Sequence, residues 1–234
     1  MNWVEIPTAK EMGAKLDYLS DQLFRAQLIQ PCSKSLLYNI SKQLKELRQA
    51  RSWKYTIKES ESIKFVPIKD KKLGQIAPRV YIDVAVNPPE TDDKPPFSRL
   101  NTTIEVIDLP ASNLQSRWHI DLANRKADGT YQAGPLFHLQ GGGHKPKGNR
   151  ADDLKVSIPR WESPPKELIL ACEMIIANFY PDKWEKISTQ KKWLELIHVG
   201  QQLCYPIYFQ RIQNCLSGQP QSVLKALWAN RINE

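Results

Sequence analysis

Two short stretches of the sequence place histidine, aspartate and glutamine at alternate positions. His119 and Asp121 are two residues apart, and so are His138 and Gln140, within runs that otherwise alternate polar and apolar residues. Because alternate side chains of a β-strand point to the same side, each pair is expected on one face of a strand. Two imidazoles with pKa values near neutral can divide the roles of general base and general acid. The spacing therefore predicts an acid-base pair on a sheet.

The residues between these two stretches favour a hairpin. Residues 124–130 contain an Asp-Gly pair, which is a strong turn signal, so the runs 116–122 and 135–140 are predicted to be neighbouring strands. That pairing would bring the two histidines close together. Two further alternating runs, at 79–86 and 102–108, add charged side chains if they lie beside the hairpin. The side chains predicted on this polar face are Asp83, Glu105, Arg117, His119, Asp121, His138 and Gln140.

The chemistry that suits this set is metal-independent cleavage of RNA. His119 and His138 would transfer protons, and Asp121 would hold one of the imidazoles in its charged form. Arg160 would stabilise an anionic transition state, since prolines on both sides of it in residues 158–165 present it from a stiff segment. Attack by the ribose 2′-hydroxyl needs such groups and is specific to RNA. These four residues are the predicted catalytic set.

A glycine run beside the hairpin carries a second, weaker signal. Residues 141–143 are three glycines followed by a basic stretch, and they lack the pattern of a nucleotide-binding phosphate loop. A basic loop at the edge of a polar face can clamp a phosphate backbone without recognising bases. The residues predicted to contact nucleic acid are Arg117, Gln140, Lys145, Lys147 and Arg150. The sequence leaves open the order of the glycine run.

Two alternatives compete with catalysis at this face. An antiparallel sheet commonly leaves one face in water, where polar side chains need no function. A metal site is ranked lower: His119, Asp121, His138 and His144 are acceptable ligand types, but no compact metal-binding signature is present. No metal or cofactor is predicted.

The composition favours a polyanionic partner. Lys and Arg total 33 against 25 Asp and Glu, which gives a formal charge of +8 and a pI near 9.2. Such a balance favours a nucleic acid or an acidic partner protein. Of the nucleic acids, RNA is expected more than DNA, because the mechanism above uses the 2′-hydroxyl. Two hypotheses follow: a ribonuclease of a prokaryotic toxin or antiviral defence system, and a non-catalytic interaction subunit. The sequence alone does not decide between an enzyme and a binding subunit.

The expected compartment is the cytoplasm. The sequence starts without a basic segment followed by an apolar run, and no stretch approaches the ~18 apolar residues of a membrane span. The four cysteines have no metal-type spacing, so reduced thiols are expected.

Helical periodicity marks both ends of the chain. Thr8 and Glu11 form a capping-box pattern before a helix that runs towards Pro31, and Ser33 is predicted to cap a second helix. Ser163 is predicted to cap a core helix at about 164–179. A further run from Ser188 to Leu216 is predicted to kink at Pro206, and a short helix is expected after Pro220.

Alternation of period two occupies the middle of the chain. Besides the four runs named above, it marks residues 53–57, 63–65 and 154–158 as strands, with a proline-rich loop at 87–98. The predicted fold is α+β, with a mostly antiparallel central sheet (52–158) flanked by an N-terminal helical hairpin (1–51) and a C-terminal helical segment (159–234). Its length of 234 residues is within the range of one domain, so residues 1–234 are predicted as a single unit.

Overall fold

A computed structural model describes residues 6–89, 94–142 and 159–229. In chain order its elements are α1 (Ala9–Arg25), α2 (Pro31–Glu46), β1 (Trp53–Ile57), a 3₁₀ turn (Glu59–Glu61), β2 (Ile63–Lys64), β3 (Ile68–Asp70), β4 (Gly74–Val86), β5 (Phe97–Asp108), β6 (Asn113–Leu122), β7 (Phe137–Gly141), β8 (Trp161–Glu162), α3 (Leu168–Phe179), α4 (Pro181–Ser188), α5 (Lys191–Cys204), α6 (Pro206–Ser217) and α7 (Val223–Ala226). The predicted α+β class and the order of its three segments are confirmed.

The first helix begins as predicted and ends early. The Thr8 backbone N–H donates to Glu11 Oε2 at 2.8 Å, and the Glu11 N–H donates to Thr8 Oγ1 at 3.3 Å, which completes the capping box. Helix α1 ends at Arg25, where Gln27 takes a positive φ of 54° and the Leu28 N–H donates to the Leu23 carbonyl. This turn, and not the proline six residues further on, terminates the helix.

The predicted Ser33 cap of the second helix is wrong. Pro31 is the first residue of α2, because proline has no N–H to lose there and its φ already suits a helix. Ser33 lies inside the helix, and its hydroxyl accepts the Lys64 backbone N–H at 2.8 Å, which ties α2 to β2. Helices α1 and α2 pack closely at Gly13, where a Cβ atom would lie 2.7 Å from the Ser41 carbonyl oxygen.

The described strands form one antiparallel sheet in the order β1-β4-β5-β6-β7-β8, with β2 and β3 also paired to β4. The predicted hairpin of β6 and β7 is confirmed, and Gly129 at its tip has φ +82°. Strands β3 and β8 were not predicted, because three and two residues are too few to show alternation. The predicted strand 154–158 lies outside the described residues.

The central core helix starts later than predicted. Two prolines follow Ser163, and Pro164 is held extended because Pro165 comes after it. No helix therefore begins at Pro164, and Ser163 does not cap one. Glu167 is the N-cap of α3, and its buried carboxylate accepts the Ile169 N–H at 2.9 Å and the Leu170 N–H at 3.2 Å. The Thr102 hydroxyl donates to the Lys166 carbonyl at 2.8 Å, so α3 covers the apolar face of β4 and β5.

The C-terminal helices differ from the prediction in two places. Helix α4 was not predicted, and the expected kink at Pro206 is a break, with α5 ending at Cys204 and α6 beginning at the proline. Lys183 of α4 reaches the other end of the chain, where its Nζ donates to the carbonyls of Ala26 and Gln27 at 2.9 and 2.8 Å. None of the described helices is long and apolar enough to cross a membrane.

Candidate functional site

The sheet face opposite α3 carries polar side chains in three cross-strand rows. Directly opposed residues on neighbouring strands define each row. The ion row is Arg79, Glu105 and Arg117; the hydroxyl row is Tyr81, Thr103, His119 and Gln140; the acid row is Asp83, Asn101, Asp121, His138 and Glu162. All seven side chains predicted on the polar face lie in these rows, so that prediction is confirmed.

The ion row is a buried charge cluster. Glu105 is fully buried between two arginines: the Arg79 Nε donates to its Oε2 at 2.5 Å, and Arg117 donates to its Oε1. Glu59, which is 40% exposed, lies 3.3 Å from Arg79 and adds a second carboxylate. A buried charge is tolerated only when it is paired in this way. The guanidinium of Arg117, a predicted nucleic-acid contact, is therefore held against Glu105.

The hydroxyl row connects this cluster to His119. The Tyr81 hydroxyl donates to Glu105 Oε1 at 3.2 Å, and Thr103 Oγ1 lies 3.1 Å from His119 Nδ1. Burial and the charge of Glu105 raise the pKa of Tyr81 to about 12, while a hydrogen bond from Thr103 acts in the opposite direction. Tyr81, Thr103 and His119 are thus directly opposed on three neighbouring strands, with Tyr81 bonded to the ion row and Thr103 bonded to the histidine.

The acid row brings Asp121 beside both histidines. Asp121 lies directly opposite His138, and its Oδ2 is 3.9 Å from His119 Nδ1. Burial raises the pKa of Asp121 to about 7, although the Thr102 backbone N–H and Arg160 favour the charged form. Its Oδ1 is buried and has no hydrogen-bond partner among the described residues. At neutral pH this carboxyl group therefore exchanges between its acid and base forms.

His138 has the opposite shift and is buried. Burial lowers the pKa of its ring to about 4, and the positive charge of Arg160 adds to the effect. Its Nδ1 has no hydrogen-bond partner within the described ranges. His138 is uncharged at neutral pH, so the proton donor of this site is better supplied by Asp121 than by His138.

Arg160 is placed at the edge of the cluster. It precedes β8 and donates to the Ala133 carbonyl at 3.4 Å and to Gln132 Oε1 at 3.1 Å. Its charge acts on the pKa values of Asp121 and His138, so Arg160 is close to these predicted catalytic residues. Trp161, the next residue, is 62% exposed. The predicted contacts Lys145, Lys147 and Arg150, and the metal candidate His144, lie outside the described residues.

Two residues of the cluster were given no role from the sequence. Alternation places Tyr81 and Thr103 on the polar face, but a hydroxyl residue carries no signal that it partners a particular histidine. Only the strand register brings Thr103 opposite His119. In the part of the chain that the structure describes, no three His, Cys, Asp or Glu side chains are grouped as metal ligands.

Comparison with known proteins gives no match to a protein family, to a curated protein or to a solved structure.

Proposed function

We propose that the protein is a basic, nucleic-acid-acting enzyme that cleaves RNA without a metal ion at the polar face of β6 and β7. One observation carries this proposal: Asp121, with a pKa raised to about 7, lies beside the imidazole of His119 with 3.9 Å between Oδ2 and Nδ1. Both side chains are partly exposed, at 23% and 22%. A carboxyl group tuned to neutral pH and paired with an imidazole is typical of acid-base catalysis.

The two groups divide the proton transfers. His119 accepts the proton of the ribose 2′-hydroxyl as its oxygen attacks phosphorus, and the bond from phosphorus to the 5′-oxygen breaks. Asp121 gives its proton to that leaving oxygen, so the products are a 2′,3′-cyclic phosphate and a 5′-hydroxyl. Arg160 balances the negative charge that develops on the phosphate oxygens. His138 is an uncharged, buried neighbour of Asp121. It keeps water away from the Asp121 carboxyl group and so favours its protonated form.

The charge of the whole protein supports the choice of substrate. A formal charge of +8 attracts a polyanion and raises its local concentration at the surface. The proposed reaction uses the 2′-hydroxyl, so DNA is a binding competitor and is not cut. A role in a prokaryotic toxin or antiviral defence system is the setting we propose for such an activity.

The test uses Asp121→Asn with Asp83→Asn as the matched control. Asp83 lies in the same row, but it accepts from Thr56 and pairs with the exposed Arg99 far from His119. Single-stranded RNA, duplex RNA and DNA are incubated with each protein in EDTA, and the ends are identified. We expect RNA products with cyclic phosphate ends from the wild type, about 10²- to 10⁴-fold slower cleavage by Asp121→Asn, and no change in Asp83→Asn.

The pH profile adds a second prediction for the same site. Cleavage should fall above about pH 7, as Asp121 loses the proton that the leaving group needs. A wild-type protein that cuts no RNA at any pH, or equal rates for wild type and Asp121→Asn, would remove the catalytic proposal.

A non-catalytic interaction subunit is the second candidate, and the edge strand favours it. Trp161 is 62% exposed next to Arg160, an arrangement that offers a stacking surface and a charge to an unpaired base. This function predicts salt-dependent binding of RNA or DNA without cleavage, weakened by Trp161→Ala and by neutralising Lys145, Lys147 and Arg150. Binding of neither nucleic acid would point to an acidic partner protein.

A further inference from the structure

We propose that three lysines at one edge of the sheet, Lys54, Lys64 and Lys69 (the lysine edge), bind the phosphate backbone of RNA. They lie on β1, β2 and β3 and point to the same sheet face as Asp121. The inference deepens the proposed function and rests on it for the choice of RNA, because it states where the backbone of that substrate is held. Exposed cations that face a polyanion are the chemistry of such a surface.

The net charge of the chain is concentrated before β4. Residues 1–73 contain 14 Lys and Arg against 8 Asp and Glu, so they carry +6 of the formal charge of +8. Residues 74–234 are more than twice as many and carry the remaining +2. A polyanion is attracted most strongly to the part of a protein where positive charge accumulates. The N-terminal part of the fold, which includes the lysine edge, is therefore the part that attracts RNA.

The register of β4 fixes the face on which these lysines lie. Strand β5 pairs with β4 along residues 76–86, so β1, β2 and β3 share the other side of β4. The β4 residues directly opposite Lys54, Lys64 and Lys69 are Ala85, Arg79 and Gln75. Directly opposed residues share a face, and alternate residues of β4 point the same way. The lysine edge therefore shares the polar face with Tyr81 and Asp83.

The two rows that carry the proposed chemistry lie between lysines. Along β4, the rows of Tyr81 and Asp83 lie between the row of Lys64 and the row of Lys54. These two lysine rows are six positions apart, which is about 20 Å at about 3.3 Å per residue. Asp121 is three strands from β1 in the acid row, which is about 14 Å at about 4.8 Å per strand. A backbone that contacts both lysines therefore passes beside the acid and hydroxyl rows.

The ammonium groups of the lysine edge are available to a ligand. All three lysines are exposed, and none of them forms an ion pair with a carboxylate of the described residues. Other lysines of the N-terminal part are neutralised, since Lys34 lies 3.0 Å from Asp21 and Lys45 lies 2.6 Å from Asp17. Contacts to phosphate position a strand without recognising its bases. The lysine edge is therefore expected to bind RNA of any sequence.

The test is the salt dependence of RNA binding in a variant that carries Lys54→Gln, Lys64→Gln and Lys69→Gln. The matched control carries Lys186→Gln, Lys191→Gln and Lys192→Gln, which remove the same charge from exposed positions of α4 and α5. All proteins also carry Asp121→Asn, so that the RNA is not consumed. Fluorescence anisotropy of labelled oligouridine and oligoadenosine gives Kd at a series of KCl concentrations.

The expected result is a selective change in the salt slope. For the lysine-edge variant, the slope of the logarithm of affinity against the logarithm of salt concentration should fall by about 2, at about 0.7 per lost phosphate contact. This corresponds to about 100-fold weaker binding at about 0.1 M KCl, equally for both oligonucleotides. The control should keep the slope of the parent protein. Lys54→Gln alone should lower the slope by about 0.7 and replaces the triple variant if tryptophan fluorescence in urea shows that the latter is unfolded.

The outcomes separate this inference from the proposed function. Equal changes of slope in the two variants, or a protein that binds neither oligonucleotide, would overturn the inference. A selective loss in the lysine-edge variant of a protein whose wild type cuts no RNA would keep the binding surface and remove the enzyme. RNA cleavage by the wild type together with equal slopes would keep the enzyme and remove the lysine edge.

Discussion

Glu167 predicts an unusual loss of stability as the pH rises. Its carboxyl group is fully buried at the start of α3, and burial raises its pKa from 4.5 to about 7, against the hydrogen bonds from the Ile169 and Leu170 N–H groups. A group whose pKa is raised in the folded state contributes its full stabilisation of the fold at pH values below its unfolded pKa. This contribution is lost as the pH rises through the folded pKa. At about 1.4 kcal/mol per pKa unit, the loss is about 3 kcal/mol between pH 4.5 and pH 7.

The assay compares free energies of unfolding in urea for wild type and Glu167→Gln from pH 4 to pH 8. Their difference isolates Glu167, and we expect the wild type to lose about 3 kcal/mol relative to the variant over this range. Glu11→Gln is the control, because the Thr8 backbone and side-chain hydrogen bonds lower the pKa of Glu11. The difference for Glu11 must change in the opposite direction with pH. A flat difference for Glu167, or the same slope for both glutamates, would refute the argument.

Two further predictions concern stability, one at the buried ion row and one at the contact between α1 and α2. Glu105→Gln should lower the free energy of unfolding by about 3–5 kcal/mol, since it leaves two arginines beside one exposed carboxylate. Glu59→Gln is the control and should lower it by under about 1 kcal/mol. Equal losses in urea denaturation would contradict the importance of the buried pairing. Gly13→Ala should cost about 1–3 kcal/mol, because its Cβ would lie 2.7 Å from the Ser41 carbonyl oxygen. A more stable alanine variant in thermal unfolding would show that α1 and α2 can separate without cost.

The distribution of side chains between the two sheet faces could be predicted from the sequence, because a period of two is a property of each strand alone. His119 and Asp121 share a face in any sheet that contains β6. Their neighbours could not be predicted, since these depend on register. Thr103 is opposite His119 only because β5 pairs with β6 at that offset. The start of α1 was predicted because threonine is a preferred N-cap residue, and the start of α3 was missed because its N-cap, Glu167, is not of a preferred type.

The protonation states could not be predicted from residue type. His138 and Asp121 were taken as an ordinary imidazole and an ordinary carboxylate, and burial moves the pKa of the first down to about 4 and that of the second up to about 7. Desolvation depends on everything that packs around a group, whereas alternation in the sequence predicts only the sheet face on which the side chain lies.

The contact of Lys183 with α1 has a consequence for synthesis on the ribosome. The lysine follows the Ala26 carbonyl by 157 residues, so the acceptor emerges long before its donor. At roughly 5–20 residues per second, translation leaves the end of α1 without this partner for on the order of ten seconds. For most of that interval the first two helices are complete in sequence but lack their link to α4. The N-terminal segment therefore reaches its final free energy only after most of the chain has been made.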